Sequence, residues 1–220
     1  MENIIIVGSS GHAKVVIDIV EQAGRYRIAG LLDSFREIGE TTLGYPVLGN
    51  EHDLPELIGT HAIVGILIAI GDNWARAKVT ASIADIAPQL PLVKAIHPQA
   101  VVAPSSTIGA GSVVMAGTII NPDCAIGNSC IVNTHASIDH DSVLDCYASV
   151  APGVVTGGNC RIGRYTAIGI GAILRHRICI GEHSVIGAGA VVLQDIEPFS
   201  VAYGNPARKI SDRLADTPYL

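Results

Sequence analysis

An aliphatic residue recurs every sixth position through the C-terminal half of the chain. Counting from Ile96, the positions are Ile96, Val102, Ile108, Val114, Ile120, Ile126, Val132, Ile138, Leu144, Val150, Thr156, Ile162, Ile168, Leu174, Ile180, Ile186 and Val192. Sixteen of these seventeen are aliphatic, and Thr156 is the one polar residue. Four residues after each stands a small or aliphatic one, such as Ser112, Thr118, Cys124, Cys130, Ala136, Ser142, Ala148 and Cys160. A helix would need a period near 3.6 and a half-buried strand a period of 2. A period of six fits a short strand followed by a turn. Three such units close a triangular coil of eighteen residues, whose aliphatic side chains point into the prism and whose small ones sit where it narrows. Glycine often follows the aliphatic residue, as at Gly109, Gly127, Gly163, Gly169, Gly181 and Gly187, and is expected there for the turn. Each coil needs its neighbours, because only stacking buries its faces.

The first 95 residues follow another pattern. Strands are predicted at Ile4–Val7, Tyr26–Leu32, Ala62–Ile70 and Leu92–Ala95, and helices at Ala13–Gln22, Glu51–Leu57 and Trp74–Ile86. Alternation of this kind predicts a small α/β, Rossmann-like βαβ domain with a parallel sheet. Three segments follow: 1–95, an α/β domain; 96–197, a parallel β-helix of hexapeptide repeats; and 198–220, a polar tail that leaves the repeat at Pro198.

Composition supports thin aliphatic layers rather than a bulky core, because aromatic residues make up only 4%. Charged residues are 15%, against the usual quarter, which predicts apolar surface covered by other copies of the chain. A net charge of −6 gives no electrostatic reason to bind nucleic acid. No apolar run reaches the length of a membrane span, and Met1–Val7 lacks a basic signal-peptide start, so a cytoplasmic location is expected. Cys124, Cys130, Cys146, Cys160 and Cys179 show no CxxC spacing and read as reduced small core residues.

Two stretches carry candidate chemistry. Gly8-Ser-Ser-Gly-His-Ala13 lies between a strand and a helix, where backbone amides attract anions. Its glycine spacing is not that of the dinucleotide fingerprint. His12 at the mouth of the sheet is available to a ligand, and Asp33 ends the next strand toward the same crevice, able to accept hydrogen bonds from a ribose or base. In the repeat, Ile138 and Ser142 take the inward positions, so His140 points outward or lies near a corner, between Asp139 and Asp141. A neighbouring carboxylate raises imidazole basicity, which makes His140 the candidate general base, with His135 its main rival. Gly158, one coil on, is expected to leave room above His140 for a ligand. A zinc site of three histidines is not supported: eighteen-residue stacking sets His140 against Pro122 and Gly158, and His176 is two coils away, roughly 10 Å.

These motifs, with Asn133-Thr134, Ala151-Pro152-Gly153, Gly157-Gly158, Ile168-Gly-Ile-Gly171, Val185–Val191 and Gly204-Asn-Pro-Ala207, recur in order across essentially the whole chain of a known family. The sequence resembles the sialic acid O-acetyltransferases and bacterial nucleotide-4-amino-sugar N-acetyltransferases, which are hexapeptide-repeat acyltransferases. The resemblance implies a left-handed β-helix and a homotrimer with sites between adjacent subunits. It implies acetyl-CoA as co-substrate, no metal, and the amine of a nucleotide-linked 4-amino-4,6-dideoxy sugar as acceptor. His140 would be the base and Asp141 the acid that raises its basicity, where some relatives carry Glu. Ser10, Gly11, His12 and Asp33 would contact the nucleotide sugar, and Gly158, Ile170 and Ala188 would line the acetyl-CoA groove. Ser149 stands where some relatives have a second histidine. The alternatives are O-acetylation of a sialic acid or related sugar, and a non-catalytic or metal-dependent β-helix.

Overall fold

The computed structural model describes residues 1–219, which form two compact units, 1–71 with 75–98 and 72–74 with the chain from 99 onward. In the first unit, β1 (Glu2–Val7), β2 (Tyr26–Leu32), β3 (Thr41–Thr42), β4 (Tyr45–Gly49) and β5 (Ile63–Ile68) form one sheet in the order β3-β4-β2-β1-β5. Strands β4, β2, β1 and β5 are parallel, while β3 pairs antiparallel with β4. Helices α1 (Gly11–Ala23), α2 (Leu54–Thr60) and α3 (Asn73–Ile86) connect them. The run Ile4-Ile5-Ile6 is fully buried, as a central parallel strand covered on both faces must be. Strands β3 and β4 were not legible in the pattern, because Pro46 and two glycines interrupt it. The strand expected at Leu92–Ala95 is broken: Leu92 makes a single bridge to Ile66, and Ala95 belongs to a separate two-residue strand. Pro91, which has no N–H to give a ladder, contributes only its carbonyl, to the Ile66 amide.

A two-residue strand, β6 (Ala95–Ile96), closes the first unit, and sixteen more, β7 (Val101–Val102) to β22 (Val191–Val192), build the second. They stack as three parallel sheets, one per side of the prism. One runs β22-β19-β16-β13-β10-β7, another β20-β17-β14-β11-β8, and the third continues through β21-β18-β15-β12-β9. Register is constant at eighteen residues, with Ile120 against Ile138, Leu144 against Ile162 and Ile168 against Ile186. From Val114 to Val192 every predicted layer residue is buried, including Thr156.

The structure refines two expectations about the hexad. Glycine after the layer residue does not supply a turn conformation. A Cβ on Gly163 would lie 2.5 Å from the Glu182 amide nitrogen, and one on Gly127 would lie 2.6 Å from that of Cys146. Close stacking of coils excludes the side chain. The left-handed backbone falls two residues later, as at Asp141 (φ 57°) and Tyr165 (φ 61°). Second, the small inward residues do more than fill narrow corners. Ser112 Oγ accepts the Cys130 N–H at 2.9 Å and donates to the Gly127 carbonyl at 2.7 Å. Thr166 bridges Ser184 and Gly181 in the same way. Short polar side chains thus satisfy corner backbone groups that face the dry interior.

The predicted tail is instead a hairpin. Strand β23 (Ser200–Gly204) pairs parallel with β21 and antiparallel with β24 (Ala207–Asp212), so it caps the stack instead of trailing from it. Among the described residues no helix is long and apolar enough to cross a membrane.

Adjacent residues of β17 (Arg161–Ile162) offer a direct test of the inward phase. Ile162 is stacked between Leu144 and Ile180 and buried, while Arg161 is exposed. Ile162→Ala is expected to cost about 2–5 kcal/mol in denaturant unfolding. Arg161→Ala should cost roughly 0.5 kcal/mol or less. Equal losses would refute the phase.

Candidate active site

The turn Asp139–Asp141 joins β13 (Ser137–Ile138) to β14 (Val143–Leu144) at one corner of the prism. Both neighbouring coils tie it down. On the preceding side, Asn121 Nδ2 donates to Asp139 Oδ1 at 2.8 Å, and the Asp141 N–H donates to the Pro122 carbonyl at 3.1 Å. On the following side, the Asp139 N–H donates to Thr156 Oγ1 at 3.0 Å, and the His140 carbonyl accepts from the Asn159 N–H at 2.8 Å. Asp139 Oδ1 also accepts the His140 N–H at 2.9 Å. That bond, followed by the one from Asn121, holds the Asp139 carboxyl below its usual range.

Upon this fixed turn, His140 Nδ1 lies 2.6 Å from Asp141 Oδ2. Both side chains are about half exposed. A carboxylate accepts only, so Nδ1 carries the proton and Nε2 keeps the lone pair. The hydrogen bond to Asp141 raises the His140 pKa above the ordinary imidazole value, and the charges of Asp139 and Asp141 reinforce it. The arrangement is that of a carboxylate-oriented imidazole base on an open corner.

Gly158 lies against this imidazole. A Cβ there would sit 2.6 Å from both Cε1 and Nε2 of His140. The space expected above His140 for a ligand is therefore taken by the ring itself, because the side chain rises along the stacking direction. The Gly158 N–H donates in turn to His176 Nδ1 at 3.0 Å. His140, Gly158 and His176 thus occupy successive steps of one corner. Among the described residues no three His, Cys, Asp or Glu side chains converge as a metal site would require.

The other residues predicted for the groove, Ile170 and Ala188, lie on a different corner. It joins β18 (Ala167–Ile168) to β19 (Ile173–Leu174) and repeats at Ala188 one coil on. Both are exposed. His135, the rival base, is on that corner also, its ring over Gly117. Ser149 is half-buried on the third sheet, between Ile131 and Ala167.

The first unit holds a cleft of about 640 Å³ at the carboxyl ends of β1, β2 and β5. Strand order reverses beside β1, with β2 on one side and β5 on the other, which is where such sheets open a crevice. Ser10 and Asp33 line it, with Arg36, Glu51 and Lys78. Gly8 turns at φ +102°, where a Cβ would meet the Ala69 carbonyl at 2.8 Å. Ser9 is buried and donates to Asp33 Oδ2 at 2.5 Å, fixing that carboxylate. Ser10 starts α1 without a capping bond and keeps its hydroxyl for other partners. Gly11 and His12 are not among the lining residues. The His12 Nε2 is buried without a hydrogen-bond partner. Burial, reinforced by the Arg76 guanidinium, pushes the His12 pKa down to about 4, so it is neutral at pH 7.

Sequence reasoning missed Asn121, His176 and Ser9. The eighteen-residue register carried a signal for Asn121, one coil before Asp139, and for His176, one coil after Gly158; the role of Ser9 left none.

With this geometry in view, the chain can be set beside known proteins. Residues 3–83 match the PglD N-terminal domain family, and residues 159–194 match the bacterial transferase hexapeptide family of six repeats. Among solved structures, a histidine-to-alanine variant of GDP-perosamine N-acetyltransferase from Caulobacter crescentus, in complex with CoA and GDP-perosamine, superposes with a TM-score of 0.90 at 36% identity. That match covers 96% of this chain and 98% of the other. The acetyltransferase domain of PglB from Neisseria gonorrhoeae FA1090, in complex with acetyl coenzyme A, gives 0.86 at 35% identity, covering 95% and 99%. UDP-N-acetylbacillosamine N-acetyltransferase of Bacillus subtilis (strain 168) is 35% identical over 118 residues, 50% of this chain, so the match spans about half the length of that curated relative. Fold and corner together define a hexapeptide-repeat acyltransferase. Within that class, the chain belongs to the nucleotide-amino-sugar N-acetyltransferase family with a PglD-type N-terminal domain.

The His140–Asp141 pair predicts a signed pH effect. If His140 must be neutral to act, the acidic limb of kcat/KM lies above the ordinary imidazole value, because Asp141 favours the protonated ring. Asp141→Asn should move that limb to lower pH while lowering the plateau. A limb that stays in place in the Asn variant would remove Asp141 from the role. Gly158→Ala should lower kcat about 100-fold by displacing the imidazole. The two variants are read from pH–rate profiles.

Proposed function

We propose that the protein is an acetyl-CoA-dependent N-acetyltransferase acting on the amine of a nucleotide-linked 4-amino-4,6-dideoxy sugar. The observation that carries this reading is the His140–Asp141 pair, with Nδ1–H held by the carboxylate at 2.6 Å on a half-exposed corner and the lone pair left on Nε2. The GDP-perosamine and UDP-N-acetylbacillosamine relatives are both named N-acetyltransferases, which favours an amine over the hydroxyl of the alternative reading.

In this mechanism Nε2 of His140 takes a proton from the amine as its nitrogen attacks the thioester carbonyl. Asp141 stabilises the imidazolium that results. The C–S bond then breaks, the imidazolium returns its proton to the departing thiolate, and amide and free CoA are formed. A backbone N–H meets the developing oxyanion. The nucleotide sugar sits in the cleft lined by Ser10 and Asp33, with Gly11 and His12 following at the start of α1. Arg36 and Lys78 bring positive charge suited to a diphosphate.

The acetyl-CoA groove is assigned to Gly158, Ile170 and Ala188, and these lie on two corners of one prism. A groove that uses all three therefore draws on adjacent subunits. The sheet between those corners carries a column of exposed aliphatic residues, Val101, Ile119, Val155 and Ile173, aligned in register with Ser137 between the two pairs. Exposed aliphatic side chains grouped on one sheet in this way are normally covered, and a homotrimer would cover them.

Two measurements test the proposal. His140→Ala should lower CoA release about 10²–10⁴-fold with GDP- and UDP-linked 4-amino sugars as acceptors. Near-normal turnover in a folded variant rejects the base. Light scattering should give three times the 22.8 kDa chain, and Ile173→Glu should dissociate it with loss of activity. A fully active monomer rejects the shared groove.

A further inference from the structure

Thr156 interrupts both the sequence pattern and the backbone ladder. It is the one polar residue among the seventeen layer positions, and it is buried, 3% exposed. Along its own column, the residue after each layer position donates its N–H to the backbone carbonyl of the layer residue one coil on. Ala103 donates to Ile120 at 2.9 Å, Asn121 to Ile138 at 3.0 Å, Gly157 to Leu174 at 2.8 Å and Arg175 to Val192 at 3.0 Å. At Asp139 the acceptor is instead the side-chain hydroxyl, Thr156 Oγ1, at 3.0 Å. The pairing of β13 with β16 (Val155–Thr156) is correspondingly carried by Ser137 and Val155 alone.

The substituted rung belongs to the residue before His140. Asp139 presents its N–H to Thr156 and its carboxylate to the His140 N–H and to Asn121. The rung at Asp139 is thus made by a side chain and not by the strand's carbonyl, while the next rung, from the Asn159 N–H to the His140 carbonyl at 2.8 Å, is regular. Branching at Cβ restricts the Thr rotamer, which fixes where the oxygen stands. Burying a hydroxyl in an aliphatic layer is unfavourable for packing. Such a local break with the surrounding pattern is expected where function outweighs stability.

We infer that Thr156 is a positioning residue for the transfer reaction, setting the Asp139–His140–Asp141 turn so that the His140 imidazole meets the substrate amine. The inference rests on the reading of His140 as general base.

The test compares Thr156→Val, Thr156→Ser and His140→Ala in the full-length protein. Valine has the same shape without the acceptor, and serine keeps the acceptor without the methyl group. Stability should follow Val, then Thr, then Ser, by thermal unfolding. Activity should run otherwise: kcat of Thr156→Val falls about 10- to 100-fold, the range for a displacement near 1 Å, with both KM values within twofold, and Thr156→Ser stays within about threefold of the parent. The acidic limb of the pH–rate profile should move in the Val variant and not in the Ser variant. A merely structural threonine would make activity follow stability. A Val variant with kcat within twofold, or a Ser variant as impaired as Val, overturns the inference while loss of activity in His140→Ala leaves the base in place. Retained activity in His140→Ala overturns both.

Discussion

The second unit depends on one constraint, the parallel pairing of two-residue strands at a constant eighteen-residue spacing. Each strand offers two residues, one inward and one outward, and too few hydrogen bonds to stand alone. Pairing with the coils on either side satisfies the backbone and puts Val114, Val132, Val150, Ile168 and Ile186 in one buried column. A shift by one residue would expose the whole column, so the register is strongly held. The same close approach excludes side chains after many layer residues and calls for short polar side chains at the corners.

That stiffness is what the candidate site uses. A corner of the stack offers outward side chains whose backbone is tied on both sides, so a histidine there has little freedom. His140 sits on such a corner, with its ring against Gly158 and its Nδ1 on Asp141. The chemistry is carried by few groups because the scaffold does the orienting. Thr156 fits the same logic: a small change in one rung sets the turn without disturbing the coils beyond it.

The first unit solves a different problem. Its central strand is flanked by β2 and β5, and the crevice opens where strand order reverses. Polar groups in the cleft are held by neighbours that are themselves buried, such as Ser9 behind Asp33. His12, which the motif suggested as a contact, is turned inward and kept neutral by burial and Arg76.

The repeat region was legible from the chain alone because each hexad encodes a local geometry that stacking merely repeats. The register, the inward phase and the outward placement of His140 followed from counting. The helices and main strands of the first unit followed from periodicity, but β3 and β4 did not, since proline and glycine mask a strand formed only by tertiary pairing. The tail hairpin had no periodic signal for the same reason. Counting also could not tell a glycine that turns from one that has no room, nor say that the space at Gly158 is filled by the His140 ring. It singled out Thr156 as an anomaly without giving it a partner. Those points depend on side-chain direction and on which atoms meet across coils. The amino-acid pattern determined which residues are neighbours; only the tertiary structure decided how their side chains are used, because packing selects among rotamers that the pattern leaves equivalent.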